Sequence, residues 1–174
     1  GGLFEVIQLW VNLPAKDKMA EPGYQAITSA QIPRVELAGG AGLVRVIAGD
    51  YHGNAGPART YTPMNIWDVR LNAGARAEFD VPDDYTTALF VLRGRVKLSG
   101  GELVGEAQLA NFERVGGKLA VEALEDTTLL LLNGQPIAEP VVGYGPFVMN
   151  TQKEIQQAIA DYQSGRMGRI VRRA

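Results

Sequence analysis

The sequence contains no cysteine and a single histidine, His52, in 174 residues. Without cysteine, the chain forms no disulfide and carries no thiol nucleophile or thiolate ligand. A catalytic transition-metal site usually takes three protein ligands, mostly histidine with a carboxylate. We therefore expect no histidine-based metal centre built from this chain alone. The lack of cysteine also fits a cytoplasmic protein, which is the location we expect.

The sequence also lacks a charge excess and a long apolar run. Its net charge of −2 offers no global attraction to nucleic acid or to an anionic membrane. No apolar run approaches the length of about 20 residues that spans a bilayer, and residues 1–14 lack the basic start of a signal peptide. We expect no direct nucleic-acid partner and no membrane partner. Hydrophobic residues make up 46% of the chain, enough to bury a core.

Short apolar runs separated by turn residues predict a β-rich fold. Residues 3–13 alternate in the manner of a strand that Pro14 ends, and residues 15–33 form a predicted linker. Further strands are predicted at 34–37, 43–48, 66–71, 75–79, 87–92, 95–98, 103–109, 119–124 and 127–132. This spacing, without alternating helices, is typical of an antiparallel sandwich or barrel.

The last part of the chain changes to a helical pattern. Residues 151–164 place apolar side chains at the spacing of one helix face, with Thr151 and Glu154 as a capping pair and Gly165 as a stop. The arginine-rich tail that follows is predicted to be solvated. The predicted fold class is all-β, with one C-terminal α-helix.

Several specific motifs occur along the chain: LWVNLPAKDKM at 9–19, TP at 62–63, DV at 68–69, EPVV at 139–142, GPFVMNT at 145–151 and EI at 154–155. Together they resemble the pirin family, whose members are two-barrel proteins of the cupin superfamily. The resemblance spans about residues 5–165 and is to the C-terminal part of a pirin. The start at Gly1, without an initiating methionine, fits a chain that begins inside a larger protein.

The resemblance implies a division of the chain into four parts. Residues 1–14 would be a residual strand of an N-terminal cupin barrel, and residues 15–33 an interdomain linker. Residues 34–150 would form the C-terminal cupin-type (jelly-roll) barrel, followed by a helix and basic tail at 151–174.

Pirins carry a single metal, generally iron, in the N-terminal barrel. Its ligands are a His-x-His pair, a further histidine, and a second histidine or a glutamate, all of which precede the LWVNLP motif. The resemblance therefore implies iron in an intact parent protein, held by its N-terminal barrel, and no cofactor in this chain.

The C-terminal barrel is not expected to carry a cupin metal of its own. When the first cupin motif is anchored on Gly74 and Gly94, its two histidine positions fall on Asp80 and Pro82, and its glutamate position falls on Thr87. Proline has no ligand atom, and Asp80 and Thr87 are poor replacements for histidine and glutamate.

The remaining candidate site residues are expected to have structural roles. His52 lies in a glycine-rich loop without a partner ligand set, and the acidic pairs Asp83-Asp84 and Glu125-Asp126 lie at turns, where aspartate caps the backbone. We predict no catalytic and no cofactor-binding residue. Aromatic residues that could line a pocket are more typical of a core in a small barrel; they are Trp10, Trp67, Phe90 and Phe147.

Apolar residues near the two ends of the chain are candidates for an interface. If residues 3–13 belong to a barrel that is otherwise not in this chain, their side chains are exposed and seek a partner. The predicted interface residues are Phe4, Trp10, Ile155, Ile159 and Tyr162. The partner would be the protein's own N-terminal barrel, a second copy, or another protein.

Two functions remain open. Some pirins are similar in activity to quercetin 2,3-dioxygenases, which implies an oxidoreductase parent to which this chain contributes a barrel without metal. Other pirins act as regulators by binding protein partners, including transcription factors, which implies a non-catalytic interaction module. A barrel that binds a small apolar ligand is a third idea, with no residue that favours it.

Overall fold

The computed structural model describes residues 2 and 4–167, so most of the predicted basic tail lies outside the described residues. Contacts divide the chain into two compact units. Unit 1 comprises the residues up to Glu21 together with those from Ile137 onward, and unit 2 is Pro22–Pro136. No helix of the described residues is long and apolar enough to cross a membrane.

Unit 2 consists of strands and short connections. The strands are β1 (Arg34–Glu36), β2 (Gly42–Ala48), β3 (Asp50–Tyr51), β4 (Asn54–Ala55), β5 (Met64–Leu71), β6 (Arg76–Asp80), β7 (Thr86–Arg93), β8 (Arg95–Leu98), β9 (Leu103–Gly105), β10 (Leu109–Phe112), β11 (Lys118–Ala123) and β12 (Thr127–Gly134). Single 3₁₀ turns lie at Ser29–Gln31 and Ala38–Gly40.

These strands form two main antiparallel sheets. The larger has the order β1-β2-β5-β12-β7-β10, and the smaller has the order β6-β11-β8-β9. β3 and β4 form a separate hairpin. The prediction of an antiparallel sandwich or barrel is confirmed, because neighbouring strands of both main sheets pair in opposite directions.

The core lies between the two sheets and is built in rows across the central strands. Leu131 of β12 is paired with Trp67 of β5 and with Leu89 of β7, and Leu129 is likewise paired with Val69 and Val91. All six side chains are at most 2% exposed. The strand period of two therefore places every second residue of these strands in the core.

The opposite face of β5 carries a charged group that the chain covers. Asp68 is 8% exposed and forms an ion pair with Arg45, its cross-strand neighbour on β2. Arg45 also donates to the hydroxyl of Ser29, 3.0 Å away in the first 3₁₀ turn of unit 2. The predicted linker is thus attached to the barrel through a buried charge.

One local prediction for unit 2 was wrong, and one short hairpin was not predicted. Residues 103–109 do not form one strand, because the chain turns between β9 and β10 at Ala107, whose φ is 60°. The side chain of Gln108 closes this turn by accepting the Gly105 N–H at 2.7 Å. The short hairpin of β3 and β4 was not predicted, since two-residue strands leave no periodic pattern.

Unit 1 contains little regular structure. It comprises a 3₁₀ turn at Ala15–Asp17, the hairpin of β13 (Val142–Tyr144) and β14 (Phe147–Met149), and the helix α1 (Gln152–Gln163). The predicted helix is confirmed: Thr151 accepts the Glu154 N–H at 3.2 Å, and Gly165 follows the last turn with a φ of 77°.

The strand predicted over residues 3–13 is not found. Residues 4–13 adopt no helix or strand, although their apolar pattern suits one. A strand exists only through hydrogen bonds to a neighbouring strand, and no strand in the described part of the chain pairs with this segment.

We expect Leu131→Ala to reduce the free energy of unfolding by about 2–5 kcal/mol, because it leaves a cavity in the central row of the core. Leu109→Ala is the matched control, since Leu109 is 53% exposed on β10, and it should cost less than about 1 kcal/mol. Urea denaturation followed by circular dichroism measures both. Equal losses would contradict the assignment of the core.

Candidate functional site

A cavity of about 540 Å³ opens at one end of the barrel in unit 2. We call it the mouth cavity. Its lining comes from the β3 hairpin, from the first half of β5 with the segment before it, and from the end of β6 with the connection to β7. The lining residues are Gly49, Asp50, Tyr51, His52, Thr60, Pro63, Met64, Asn65, Trp67, Asp80, Pro82 and Tyr85.

Tyr51 and Trp67 form the aromatic side of the mouth cavity. Their ring centroids lie 4.9 Å apart in an edge-to-face arrangement, a favourable geometry for aromatic pairs. Burial raises the pKa of the Tyr51 hydroxyl, and the negative charge of Asp80 raises it further. The hydroxyl is therefore protonated at neutral pH and able to donate a hydrogen bond.

The two glycines that anchor the cupin motif occupy positions that demand glycine. Gly74 and Gly94 have φ values of 76° and 83°, in the region that side chains disfavour. A Cβ atom at Gly94 would also lie 2.6 Å from the carbonyl oxygen of Asp126. The turns of the motif are present with the geometry that the alignment requires.

The structure places two of the three aligned ligand positions at the mouth cavity. Asp80 and Pro82 line it, whereas Thr87 is buried behind it at 4% exposure. The Thr87 hydroxyl accepts a hydrogen bond from the Asn133 side chain at 2.8 Å, and Asn133 in turn accepts one from Asn65 at 3.2 Å. The Thr87 hydroxyl therefore belongs to a row of hydrogen-bonded polar side chains, Thr87, Asn133 and Asn65, and is not free to bind a ligand. We call these three residues the polar row.

This polar row extends the core by one layer. Asn133 is paired in register with Asn65 on β5 and with Thr87 on β7, two residues beyond the Leu131 row. Asn65 reaches the mouth cavity and accepts the Asp50 N–H at 3.2 Å. Neither asparagine was predicted as a site residue, although each continues the inward-facing positions of its strand.

The described residues contain no group of three or more histidine, cysteine, aspartate and glutamate side chains that could hold a metal ion. His52 is exposed in the turn between β3 and β4, with a φ of 50°, and its ring packs edge-to-face against Tyr51 at 4.4 Å. Asp84 and Asp126 lie in turns, where Asp126 accepts the Ala73 N–H at 2.8 Å.

The motifs of the two ends of the chain meet in unit 1. The Glu139 carboxylate accepts the Ala15 N–H at 2.7 Å and the Asn150 side-chain amide at 3.0 Å. Lys18 donates to the Asn12 side chain at 2.8 Å and to the Val148 carbonyl at 3.1 Å. Hydrogen bonds between these motifs thus join residues 12–18 to the β13–β14 hairpin.

The predicted interface residues differ in exposure. Phe4, Trp10 and Tyr162 are 87%, 74% and 68% exposed, and Ile159 is half-buried. Ile155 is 3% exposed, because it faces inward on α1. Ile155 therefore belongs to the packing of its own unit and is not available on the surface, a correction to the predicted set.

Comparisons with known proteins agree on one family. A family model of the pirin C-terminal cupin domain matches residues 66–168. A Pseudomonas aeruginosa protein, provisionally named a quercetin 2,3-dioxygenase, is 50% identical over 166 residues, which cover 95% of this chain and 58% of that protein. Pirin-1 of Arabidopsis thaliana is 37% identical over 167 residues, which cover 93% of this chain and 58% of that protein.

The fold is also similar to that of a solved structure whose name matches the first of these relatives. The crystal structure of a quercetin 2,3-dioxygenase from Acinetobacter baumannii matches with a TM-score of 0.88 and 42% identity, over 93% of this chain and 56% of that one.

The barrel is therefore of the cupin type. The chain belongs to the pirin family and carries its C-terminal cupin domain. The resemblance and the fold class inferred from the sequence are confirmed. The chain spans somewhat more than half the length of the relatives that it matches.

We expect Asn133→Ala to lower the free energy of unfolding by about 1–3 kcal/mol, because it leaves the buried Thr87 hydroxyl and Asn65 amide without their partner. Asn111→Ala, on the exposed face of β10, is the control and should change stability by less than about 0.5 kcal/mol. Equilibrium denaturation measures the difference. A neutral Asn133→Ala would show that the polar row contributes nothing to stability.

A pH dependence is expected at the start of α1. Hydrogen bonds from Thr151, the side-chain one above all, hold the pKa of Glu154 below its usual range. A depressed pKa in the folded state stabilises the helix start above the unfolded pKa, and this contribution is lost as the pH falls through the folded pKa.

Thr151→Ala should raise the pKa of Glu154. The stability of the helix start should then fall less as the pH is lowered. Carboxyl NMR titration measures the pKa directly, with the exposed Gln156→Ala as a control that leaves it unchanged. An unaltered Glu154 titration in Thr151→Ala would refute the role of this hydrogen bond.

Proposed function

We propose that the intact protein is a metal-dependent cupin of the quercetin 2,3-dioxygenase type, to which this chain contributes the C-terminal barrel and no metal ligand. The observation that carries the proposal is the likeness to the Acinetobacter baumannii quercetin 2,3-dioxygenase, at 42% identity and a TM-score of 0.88. That likeness covers 93% of this chain but only 56% of the enzyme. The reacting centre is then assigned to the upstream part of the protein.

The lining of the mouth cavity supports this assignment. At the positions aligned with cupin ligands, Pro82 offers no donor atom, and Thr87 already accepts a hydrogen bond from Asn133. Asp80 alone is a poor basis for a transition-metal site, which needs several converging ligands. We propose that iron is held by an N-terminal barrel and that the C-terminal barrel supports it.

The segment 4–11 supports a docking role in unit 1. Its side chains are exposed although most are apolar, with Phe4 at 87%, Val6 at 64% and Trp10 at 74%. Exposed apolar strands without a hydrogen-bonding neighbour favour association. We propose that the N-terminal barrel of the same protein covers this segment and pairs with it as a strand.

A non-catalytic regulatory module is the second candidate. The same exposed segment favours it, because such a surface also suits a separate protein partner or a second copy of the chain. The two candidates differ in one measurable respect: only the enzyme turns over a flavonol when the metal-bearing barrel is present.

The test is co-expression of this chain with the upstream part of the 50%-identical Pseudomonas aeruginosa relative. Bound metal is measured by elemental analysis and quercetin consumption by absorbance. We expect a complex that binds about one iron and consumes quercetin. A tight complex without turnover would favour the regulatory module, and metal held stoichiometrically by this chain alone would overturn the assignment.

Trp10→Asp should abolish the complex, because it places a charge in the apolar segment that docks. Leu103→Asp is the matched control, since Leu103 is an exposed leucine, 57% accessible, on β9 of unit 2. Light scattering of this chain alone reports self-association through the segment 4–11. A complex that tolerates Trp10→Asp as well as Leu103→Asp would exclude this segment as the docking surface.

A further inference from the structure

Strand β6 leaves one edge of the smaller sheet open. It stands first in the order β6-β11-β8-β9 and therefore pairs with β11 alone. The residues that flank β6 show which of its backbone groups face β11. The Val81 N–H donates to the Gly117 carbonyl at 2.9 Å, and the Ala75 carbonyl accepts from the Ala123 N–H at 2.8 Å. Because the bonding direction alternates along an antiparallel strand, the N–H and C=O groups of the even-numbered residues of β6 point away from the sheet.

The described part of the chain does not cover this edge. No other segment within it forms a backbone hydrogen bond with the even-numbered residues of β6. The side chains of Arg76, Glu78 and Asp80 are 79%, 55% and 72% exposed. A cavity of about 430 Å³, rather than packed side chains, lies between the first half of β6 and β1. An uncovered edge strand is a template for pairing with another strand.

The length of β6 also favours pairing. β6 has five residues, whereas the edge strands β1 and β9 have three each and β10 has four. Very short edge strands resist pairing with another chain. Among the edges of the two main sheets, β6 therefore offers the longest row of open backbone groups.

The charges on this edge are self-complementary. Along the exposed face of β6 the order is Arg76, Glu78 and Asp80, so one end is positive and the other is negative. When two copies of β6 pair antiparallel about a two-fold axis at Glu78, Arg76 of each copy lies opposite Asp80 of the other. Opposite charges in directly opposed positions stabilise an antiparallel pair. An in-register parallel pairing would instead oppose like charges at all three positions.

The same axis satisfies the open backbone groups. It opposes position 76 with 80 and position 78 with itself, so every opposed pair consists of even-numbered residues. Such pairs exchange both of their N–H and C=O bonds across an antiparallel ladder. A register shifted by one residue would oppose open groups with groups that already bond to β11. The backbone and the charges therefore favour the same alignment.

The negative charge at the centre of this alignment is compensated within each copy. Two opposed Glu78 carboxylates alone would repel each other. Lys118 of β11 donates to Glu78, and this hydrogen bond, with the charges of Glu78 and Asp80, raises the pKa of Lys118. Arg76 is also paired with Glu122 at 3.1 Å. The antiparallel alignment thus joins two networks in which positive and negative groups alternate.

We propose that the open edge of β6 is a docking surface for a second copy of the chain. The two β6 strands pair antiparallel, with Arg76 of each copy opposite Asp80 of the other. The smaller sheets of the two barrels then form one continuous sheet. This surface lies in unit 2, and it is independent of the segment 4–11 and of the activity of the intact protein.

The test uses the full chain with Trp10→Asp, so that association through the segment 4–11 does not contribute. We expect sedimentation velocity to show a dimer whose population rises with concentration. Hydrogen exchange of the Glu78 amide should slow as the dimer forms, because this N–H then has an acceptor.

Arg76→Asp in this background should weaken the dimer by about tenfold or more, because both opposite-charge pairs become like-charge pairs. Lys97→Asp is the matched control. Lys97 lies opposite Glu122 as Arg76 does, but on β8 within the sheet rather than at its edge. The same change of charge there should leave the dimer intact.

A mixture of two variants tests the alignment directly. Asp80→Arg alone should also lose self-association, because arginines then oppose each other. When Arg76→Asp and Asp80→Arg are mixed in equal amounts, both opposed positions again carry opposite charges. A heterodimer should therefore form although neither variant dimerises alone. Circular dichroism verifies the fold of each variant.

The proposal is overturned by a chain that stays monomeric up to the concentrations used for NMR. It is equally overturned by a dimer that Arg76→Asp leaves intact, or by a mixture of the two variants that does not associate. Protection of the Glu78 amide that appears only on co-expression with the upstream part would assign the edge to that part, against a second copy.

Discussion

Strand β12 is hydrogen-bonded along its length to β5 on one side and to β7 on the other, and the rest of unit 2 depends on this pairing. The register aligns the inward positions of three strands into rows. Leu129 and Leu131 define apolar rows, and Asn133 defines a polar row at the end of the same series. Because side chains alternate with a period of two, a shift by one residue would move all of these side chains to the other face.

The same register brings the residue at an aligned cupin-ligand position into the polar row. Histidine and glutamate ligands at a barrel mouth leave polar atoms that must be satisfied when no metal is bound. Here the Thr87 hydroxyl at the aligned glutamate position pairs with the Asn133 amide, and Asn133 with Asn65. With threonine at this position, the polar row is internally hydrogen-bonded.

The sequence predicted most of the barrel because its signals are local. Alternation and turn glycines such as Gly94 set the strands, and Thr151 with Gly165 set the ends of α1. The polar row and the mouth cavity were not predictable in this way, because the approach of Asn65 to Asn133 depends on pairing between strands 68 residues apart.

The failure of the strand prediction at the start of the chain has a different cause. Residues 4–11 have the composition of a strand, but strand formation is a property of a pair of segments rather than of one. Within unit 1, Asn12 and Ala15 are held by hydrogen bonds to the side chains of Lys18 and Glu139. No strand of the described residues pairs with residues 4–11. Because the segment has the pattern of a strand and exposes Phe4 and Trp10, we propose that it is one half of a pair. A barrel edge would supply the backbone hydrogen bonds and apolar cover that it lacks, and a partner recognised only by side chains would supply the cover alone.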